Sequence, residues 1–425
     1  MEYKNFFEEA KKKNITNIQI AEKKTSESSV EIINGRMESY DDGNNISYSI
    51  KAEYNGKTVS VNSNYLNSNI IDLLILKAKV TDSLYEDDYL KNKERIPENK
   101  PLKFDISNEI KKLKELAKIR EEYPEVEKMS FYFSESYNNT RIINSNGIDI
   151  STASHICYFS AEAVVKNNNN FTSYDKKVLE TSKEKINFEK IIRDVAEKAI
   201  IQSNKNKIST GKYTILLDSN TAGRIISNLV NMISATNIRN KVSCLENKLN
   251  QKVFSQKLTI VEDPTNNKYP GYQLFDNEGT ETRKKTIVDH GKLETFLYDI
   301  KESKIKGISP TGNSFRGIST RNMYVVPGEK SDQELIKSIE NGIYIVDYMG
   351  SMGTSINTVT GAISIQIFGF LIKNGEIVCG INPAVMTTTI FELLNNIEEI
   401  ASELEFTSLS SASPALLIKD ISIAS

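Results

Sequence analysis

The chain has 425 residues, a formal net charge of −2 at pH 7, 39% hydrophobic residues and 26% charged residues. This length accommodates two or three domains, and the balance of apolar and charged residues is ordinary for a globular protein. The near-neutral charge excludes an electrostatic drive toward nucleic acid or an anionic membrane surface, and no apolar run approaches the roughly 18 residues that a membrane helix needs.

Hydrophobic periodicity in the first half predicts helices that flank two groups of antiparallel strands. Three turn signals, Asn34-Gly35, "DDGN" at 41–44 and Asn55-Gly56, divide the first group into a meander. The predicted helices cover residues 3–13, 69–82, 107–123 and 185–203, and the predicted strand groups cover 17–63 and 128–178.

The second half opens with a strand that runs into a helix, in the sequence LLDSNTAGRIISNLVNMIS (216–234). Asp218 or Ser219 is the expected cap, and apolar residues recur at helical spacing, which predicts one continuous helix. Hairpins are predicted to turn at 289–292 and at Asn374-Gly375.

Three further elements complete the second half. A capping box, with Ser331 as the N-cap and Glu334 at the third helical position, predicts a helix between the two hairpins. A last helix is predicted at 386–403, and a strand at 412–424.

Strands and helices do not alternate regularly along the chain, which predicts an α+β fold with antiparallel sheets. We expect an N-terminal domain of helices and an antiparallel sheet at residues 1–205. A C-terminal β-rich domain with a few helices is expected at 206–425. The polar sequence QSNKNKISTGK (202–212) is the candidate boundary between them.

The cysteines, Cys157, Cys244 and Cys379, are odd in number and widely spaced. This argues against a disulfide framework and fits a reducing compartment. None carries the flanking signature of a thiol enzyme, so each is expected to be buried and inert. The first 14 residues also lack the apolar core of a signal peptide. We therefore expect a cytoplasmic protein.

Metal ligands are scarce, since the chain has only two histidines, His155 and His290. A catalytic zinc needs about three protein ligands. His290 lies at a predicted hairpin tip, where turn chemistry accounts for it. His155 and Cys157 share one face of a predicted strand, so they form either a two-ligand site or, with better support, part of a packed strand pair. No G-x-S-x-G elbow and no phosphate-binding glycine loop is present.

Three stretches of the second half, 275–285, 309–317 and 349–369, combine glycine with small polar residues and charges. One interpretation is a set of independent turns and bulges between strands. The other is the wall of one cleft or subunit interface, where glycine lets another backbone approach closely. The candidate residues for that cleft or interface are Asp276, Glu278, Arg283, Asn313, Arg316 and Asn357.

The motifs in these stretches resemble those of the TldD/PmbA family, whose members are described as modulators of DNA gyrase and placed among metallopeptidases. The resemblance runs from about residue 212 to the C-terminus. It rests on LFDNEGTETR, SPTGNSFRG, NGIYI, NTVTG and LIKNGEI, in that order. The first half fits the family's less distinctive N-terminal region, for example in RIINSNGIDI.

The family has two branches, and the resemblance places this chain in the PmbA-like branch, also called TldE. The TldD-like branch carries H-E-x-x-x-H on a helix and a later Cys, which together hold a metal. Laid on that motif without gaps, this chain has Ser227, Asn228 and Met232 in place of the first His, the Glu and the second His. No Cys follows Cys379. Neither Ser nor Met holds zinc tightly, and Asn cannot accept a proton from metal-bound water.

The resemblance therefore implies a metal-free subunit of a cytoplasmic two-subunit metallopeptidase. Its partner would be a TldD-like subunit that carries zinc, and its substrates would be unfolded or short peptides held in a shared chamber. No metal or other cofactor is expected in this chain, and no nucleic acid or membrane partner. Two alternatives stay open: a peptide-binding or regulatory homodimer without a hydrolytic role, and an autonomous hydrolase that uses an unrecognised Ser or carboxylate set.

Overall fold

The computed structural model describes residues 3–81, 105–167, 170–315, 317–350 and 356–425. The helices are α1 (Tyr3–Lys12), α2 (Ser68–Val80), α3 (Ser107–Leu116), α4 (Phe188–Ser203), α5 (Ser219–Ser227), α6 (Leu229–Ile233), α7 (Ala235–Arg239), α8 (Ile300–Lys306), α9 (Asp332–Lys337) and α10 (Ile390–Asn395). Within these ranges, no helix combines the length and the apolar character that a bilayer crossing requires.

The first half forms one six-stranded antiparallel sheet, which we call the N-terminal sheet, in the order β3-β2-β1-β4-β5-β6. Its strands are β1 (Ile15–Ile33), β2 (Arg36–Tyr54), β3 (Lys57–Ser63), β4 (Val126–Asn144), β5 (Asp149–Asn167) and β6 (Asn170–Glu180). The turns at Asn34-Gly35 and Asn55-Gly56 are confirmed, and all four residues have the positive φ that such hairpin turns require.

The predicted turn at 41–44 is wrong, because these residues lie inside β2. Asp42 pairs with Ser28 of β1, and Asn44 pairs with Ser26 of the same strand. The two serine hydroxyls donate to the Asp42 and Asn44 side chains at 2.8 Å and 2.6 Å. Long-range pairing with β1 therefore overrides the local turn preference of this sequence.

Helices cover both ends of one face of the N-terminal sheet. At one end α1 and α2 pack on the sheet through a cluster that includes Phe6, Ile20 and Ile70. At the other end α3 and α4 pack on Phe133 and Phe159. The opposite face carries the alternate residues of each strand, and part of it borders the cleft described below.

The second half is built from two further sheets. Its strands are β7 (Lys205–Asn206), β8 (Gly211–Leu217), β9 (Ile260–Glu262), β10 (Lys285–Asp289), β11 (Lys292–Leu293), β12 (Met323–Val325), β13 (Asn341–Gly350), β14 (Ala362–Lys373), β15 (Glu376–Ile381), β16 (Ala384–Thr389), β17 (Ile397–Ile400), β18 (Glu405–Phe406), β19 (Ser411–Ser413) and β20 (Leu416–Ala424). One sheet has the order β11-β10-β9-β12-β19-β18. In the other, β8, β20, β16, β14 and β13 pair in a closed ring, with β15, β7 and β17 attached. The fold is α+β, as the sequence predicted.

The last predicted helix, at 386–403, is mostly wrong. The segment instead contains the end of β16, the short helix α10 and β17. Thr389 caps α10 by accepting a hydrogen bond from the Glu392 amide at 3.1 Å. β16 and β17 both pair with β20. The C-terminal strand therefore draws residues on both sides of α10 into the sheet.

Helix α4 connects the two halves through a shared hydrophobic core. Its residues Ile192 and Val195 belong to one buried cluster with Phe133 of β4, Phe370 of β14 and Leu417 of β20. Immediately after α4, strand β7 pairs in parallel with β15. The expected boundary at 205/206 thus falls within a short strand that is part of the C-terminal sheet.

Helix α9 begins with the predicted capping box, in which Ser331 and Glu334 exchange side-chain to backbone hydrogen bonds. Beside it, the Oδ1 atom of Asp332 is buried and accepts no hydrogen bond within the described residues. Burial, and then repulsion from Glu403 and Glu405, raise the pKa of Asp332 to about 6. The ionised form of this carboxyl is therefore unfavourable in the folded state.

We expect Asp332→Asn to raise the melting temperature at pH 8 and to leave it nearly unchanged at pH 4. The pKa of Asp332 is higher in the folded state than in the unfolded state. The contribution of this carboxyl to folding stability is therefore present below the unfolded pKa and is lost as pH rises through about 6. At pH 8 the substitution should gain about 1–3 kcal/mol. Glu334→Gln is the matched control, because hydrogen bonds from Ser331 lower the pKa of Glu334. It should destabilise at pH 8, and the same sign for both variants would contradict this account.

Candidate functional site

The strand-to-helix segment at 216–234 contains two short helices rather than one. Asp218 is the N-cap of α5 and accepts a hydrogen bond from the Thr221 amide at 2.7 Å. The helix is interrupted at Asn228, between α5 and α6. The amide of Asn228 donates to the Ile225 carbonyl at 3.1 Å, which is an i to i−3 bond. The apolar periodicity of the segment is continuous, but its backbone is not.

The side chains at the lost motif positions are engaged within the protein. The Ser227 hydroxyl and the Asn228 amide group both donate to the Arg224 carbonyl, at 2.7 Å and 2.8 Å. Met232 is fully buried, and its sulfur lies 3.8 Å from the Cys244 thiol. A hydroxyl, an amide nitrogen that donates to a carbonyl and a buried thioether are poor zinc ligands. A metal of the TldD-like type does not fit these residues.

A cleft of about 1130 Å³ lies between the N-terminal sheet and loops of the second half. Most lining side chains are hydrogen-bonding groups, with three aromatic rings and charges of both signs. From the sheet the lining includes Gln19, Lys23, Ser47, Ser49, Lys51, Asn138, Thr140 and Ser154, and from the second half Tyr272, Gln273, Asn277, Glu278, Ser314, Phe315 and Arg321. Among the described residues, no His and no Cys lines it. The part of the cleft that the structure describes offers polar contacts for a ligand and no recognised catalytic set.

The structure brings the stretches at 275–285 and 309–317 together at this cleft. Asp276 is fully buried and accepts three backbone hydrogen bonds, from Glu278 at 2.9 Å, Thr280 at 3.0 Å and Ser314 at 3.0 Å. Gly312 has φ +74°, and a Cβ there would lie 2.5 Å from the Glu281 carbonyl oxygen. Glycine at this position therefore permits the close approach of the two stretches.

Asn313 is also fully buried, in a polar network behind the cleft wall. Its amide group donates to both carboxylate oxygens of Glu262, at 2.8 Å and 3.0 Å. The Lys285 ammonium lies 2.7 Å from the same carboxylate, and the Arg321 amide donates to it at 2.9 Å. Asp276 and Asn313 thus hold the loops in place from inside, and neither side chain reaches the cleft surface.

The other candidate residues have different positions. Glu278 lines the cleft and accepts a hydrogen bond from the Ile300 amide at the start of α8, at 3.0 Å. Arg283 is exposed and donates to the Pro310 carbonyl at 3.3 Å. Asn357 accepts bonds from the amides of Val359 and Thr360 in the connection before β14, and it does not line the cleft. Arg316 and residues 351–355 lie outside the described residues.

The N-terminal sheet supplies a part of the cleft that no sequence motif indicated. Ser47 and Ser49 on β2, and Asn138 and Thr140 on β4, alternate with residues of the opposite face. Alternation of this kind is typical of an antiparallel strand with one solvent-facing side. It could have identified a polar face, but it contained no information that loops of the second half cover that face.

The remaining nucleophile and base candidates are outside the cleft lining. His290 is at the hairpin tip, as predicted, with its ring 2.8 Å from the Asp289 carboxylate. Burial and the nearby Glu135 carboxylate raise the pKa of the Cys157 thiol to about 12. Burial likewise raises the pKa of the Cys244 thiol. Neither thiol is therefore activated as a nucleophile.

Protein-family models match most of the chain. Residues 210–425 match the PmbA/TldA metallopeptidase C-terminal domain, and residues 99–202 match the PmbA/TldA metallopeptidase central domain. The first match covers all the second-half motifs that carry the resemblance, and the second covers helices α3 and α4 with the strands between them.

Two curated relatives come from Buchnera aphidicola subsp. Acyrthosiphon pisum. Its metalloprotease PmbA homolog is 30% identical over 210 residues, which cover 49% of this chain and 46% of the relative. Its metalloprotease TldD homolog is 24% identical over 216 residues, which cover 49% of this chain and 44% of the relative. The chain thus aligns with about half the length of these relatives.

Solved structures have the same fold over almost the whole chain. A Thermotoga maritima protein described as a candidate modulator of DNA gyrase is 25% identical, with a TM-score of 0.86 and 99% of both chains covered. TldE from Thermococcus kodakarensis is 17% identical, with a TM-score of 0.84 and 99% of both chains covered. The latter similarity concerns the fold alone.

Proposed function

Because the chain belongs to the PmbA/TldD metallopeptidase family, we propose that it is the subunit of a cytoplasmic two-subunit peptidase that lacks the family's helix-borne metal site. It pairs with a TldD-like subunit that carries zinc, and the complex cleaves unfolded or short peptides. This chain supplies part of the substrate chamber and no catalytic residue.

One observation carries the proposal: the residues at the lost motif positions are engaged inside the protein. Ser227 and Asn228 bond to the Arg224 carbonyl, and Met232 packs in the core against Cys244. The higher identity to the PmbA homolog than to the TldD homolog of one organism supports the same branch.

The cleft is the proposed peptide-binding surface. Its serine, threonine, asparagine and glutamine side chains can bond to peptide N–H and C=O groups, which are the same in every sequence. Lys51, Arg321 and Glu278 add charges of both signs, so the cleft has no single charge preference. A surface of this kind suits unstructured peptides of varied sequence.

The second candidate is a peptide-binding or regulatory homodimer without a hydrolytic role. This candidate is compatible with the same polar cleft, whose described lining residues include no recognised catalytic set. A neighbouring gene that encodes H-E-x-x-x-H, and a one-to-one complex of the two purified chains by light scattering, would favour the peptidase subunit. A stable homodimer that ignores such a partner would favour the alternative.

Narrowing the cleft should slow peptide cleavage by the assembled complex. Ser49 is exposed and lines the cleft, so Ser49→Tyr places a bulky ring in the proposed peptide path. We expect kcat/KM to fall at least tenfold, which corresponds to about 1.4 kcal/mol. Ser60→Tyr is the matched control, because Ser60 is an exposed serine of the same sheet outside the cleft lining.

The assay compares the two variants in the mixed complex, with melting temperatures and partner affinity measured in parallel. Ser60→Tyr should stay within twofold of the parent protein. Equal activity of both variants, with intact assembly, would remove the cleft from the peptide path.

A further inference from the structure

A cluster of three potential metal ligands lies on the face of the N-terminal sheet that points away from the cleft. Glu135 on β4 pairs directly with Cys157 on β5, and His155 precedes Cys157 by two residues on the same face. Among the residues that the structure describes, these three are the set whose ligand atoms converge, all within 4.8 Å of one another. His155 and Cys157 are neighbours on one strand face, as their spacing predicts, and β4 adds Glu135 as the third member.

The distances fit a single ion. The His155 Nε2 atom lies 2.8 Å from Glu135 Oε1 and 4.0 Å from the Cys157 Sγ. Bonds of about 2.0–2.3 Å to zinc place the atoms of a tetrahedral ligand set roughly 3–4 Å apart. All three ligand atoms lie within 4.8 Å of one another, so side-chain adjustments of about 1 Å would bring them onto one ion.

The burial of the cluster also suits a bound ion. The Cys157 side chain is fully buried and that of Glu135 is 6% exposed, whereas the His155 side chain is 29% exposed. The two inner ligands are thus shielded from competing water, and the imidazole side of the cluster gives an ion a route of entry. Three protein ligands leave a fourth position open for water or another donor.

Lys183 contacts one carboxylate oxygen of Glu135, and the other oxygen can bind a metal ion. Lys183 lies 3.4 Å from Glu135 Oε2 and 3.2 Å from Glu109 Oε2. The oxygen that faces His155 is the other one, Oε1. Lys183 can therefore orient the Glu135 carboxylate through Oε2 while Oε1 binds an ion. Residues that contact a metal ligand, and not the metal itself, commonly orient the ligand in this way.

We propose that Glu135 Oε1, His155 Nε2 and Cys157 Sγ bind a divalent ion of the zinc class. A thiolate, an imidazole and a carboxylate form a ligand set that zinc prefers, whereas magnesium and calcium prefer oxygen ligands alone. Binding releases the thiol proton to solvent, because the thiolate is the ligand. The site shares no residue with the lost helix motif, so it leaves the proposed function unchanged. It replaces the expectation that the chain holds no metal, which was based on that motif.

The test is a cobalt titration of the full chain after removal of metals with a chelator. The parent protein should bind one Co²⁺ per chain with a thiolate-to-cobalt charge-transfer band and the intense visible bands of tetrahedral cobalt. Added Zn²⁺ should displace the cobalt. Cys157→Ser should abolish the charge-transfer band, and Glu135→Gln and His155→Ala should weaken binding at least tenfold.

Cys244→Ser is the matched control, because Cys244 lies beside Met232 at the lost motif and far along the chain from the proposed ligands. It should keep the full band. Absence of a saturable band in the folded parent protein would overturn the proposal. A band that survives in Cys157→Ser, or one that is lost in Cys244→Ser, would do the same. If Cys157→Ser does not fold by circular dichroism, unchanged cobalt affinity in Glu135→Gln and His155→Ala would still overturn it.

Discussion

The purified chain should cleave no unstructured peptide by itself, and cleavage should appear when a TldD-like subunit with an intact H-E-x-x-x-H motif is added. The physical reason is that the lost motif positions hold Ser227, Asn228 and Met232. The segment of α5 and α6 therefore supplies neither the metal ligands nor the general base of that motif. Peptide hydrolysis without such groups lacks the acceleration of about 10⁶-fold or more that enzymes provide.

The measurement uses a quenched fluorescent peptide with each chain alone and with the mixture. Activity of the mixture should be lost with a chelator and restored by zinc. It should also be lost when the Glu of the partner's H-E-x-x-x-H motif is replaced by Gln. Chelator-insensitive cleavage by the isolated chain would contradict the proposal and favour the autonomous hydrolase.

Lys285→Met should cause a large loss of folding stability. Glu262 is fully buried and Lys285 is 8% exposed, with the ammonium 2.7 Å from the carboxylate. Removing the lysine leaves a buried carboxylate whose remaining donors, within the described ranges, are the neutral Asn313 amide group and the Arg321 backbone amide. Loss of one partner from a buried ion pair costs about 3–5 kcal/mol. Chemical denaturation of the parent and variant proteins measures this difference.

Lys330→Met is the matched control for that substitution. Lys330 and Glu399 are 3.0 Å apart, and their side chains are 50% and 39% exposed. Water screens such a pair, so its loss should cost less than about 1 kcal/mol. The double variant Lys285→Met/Glu262→Gln should recover part of the lost stability, because it removes the unpaired charge. Equal losses for Lys285→Met and Lys330→Met would show that the buried pair has no special importance.

Buried hydrogen bonds explain why two of the predicted site residues have structural roles. Asp276 and Asn313 belong to conspicuous motifs, and both sequence interpretations placed them at a surface, in a turn or in a cleft wall. In the structure both are fully buried. They accept or donate hydrogen bonds that fix the loops around the cleft. A motif that combines glycine with Asp or Asn indicates a demanding backbone geometry, and it does not by itself distinguish a loop anchor from a binding group.

Local sequence signals determined much of the secondary structure. The Asn-Gly turns at 34–35, 55–56 and 374–375, the hairpin tip at His290 and the capping box at Ser331 all occur as predicted. Each depends on the backbone preferences of two to four neighbouring residues, so no distant contact was needed to predict it. The motif order likewise determined the family, and the irregular order of strands and helices indicated the antiparallel α+β class.

Only the tertiary structure decided where distant residues meet. The turn-like residues at 41–44 became part of β2 because they pair with β1, and the predicted helix at 386–403 became two strands and a short helix because β20 pairs with both sides. The cleft joins a sheet of the first half to loops of the second, and Glu135 meets His155 and Cys157 across two strands. Contacts of this kind depend on strand register and packing between segments far apart in sequence, which local preferences do not encode.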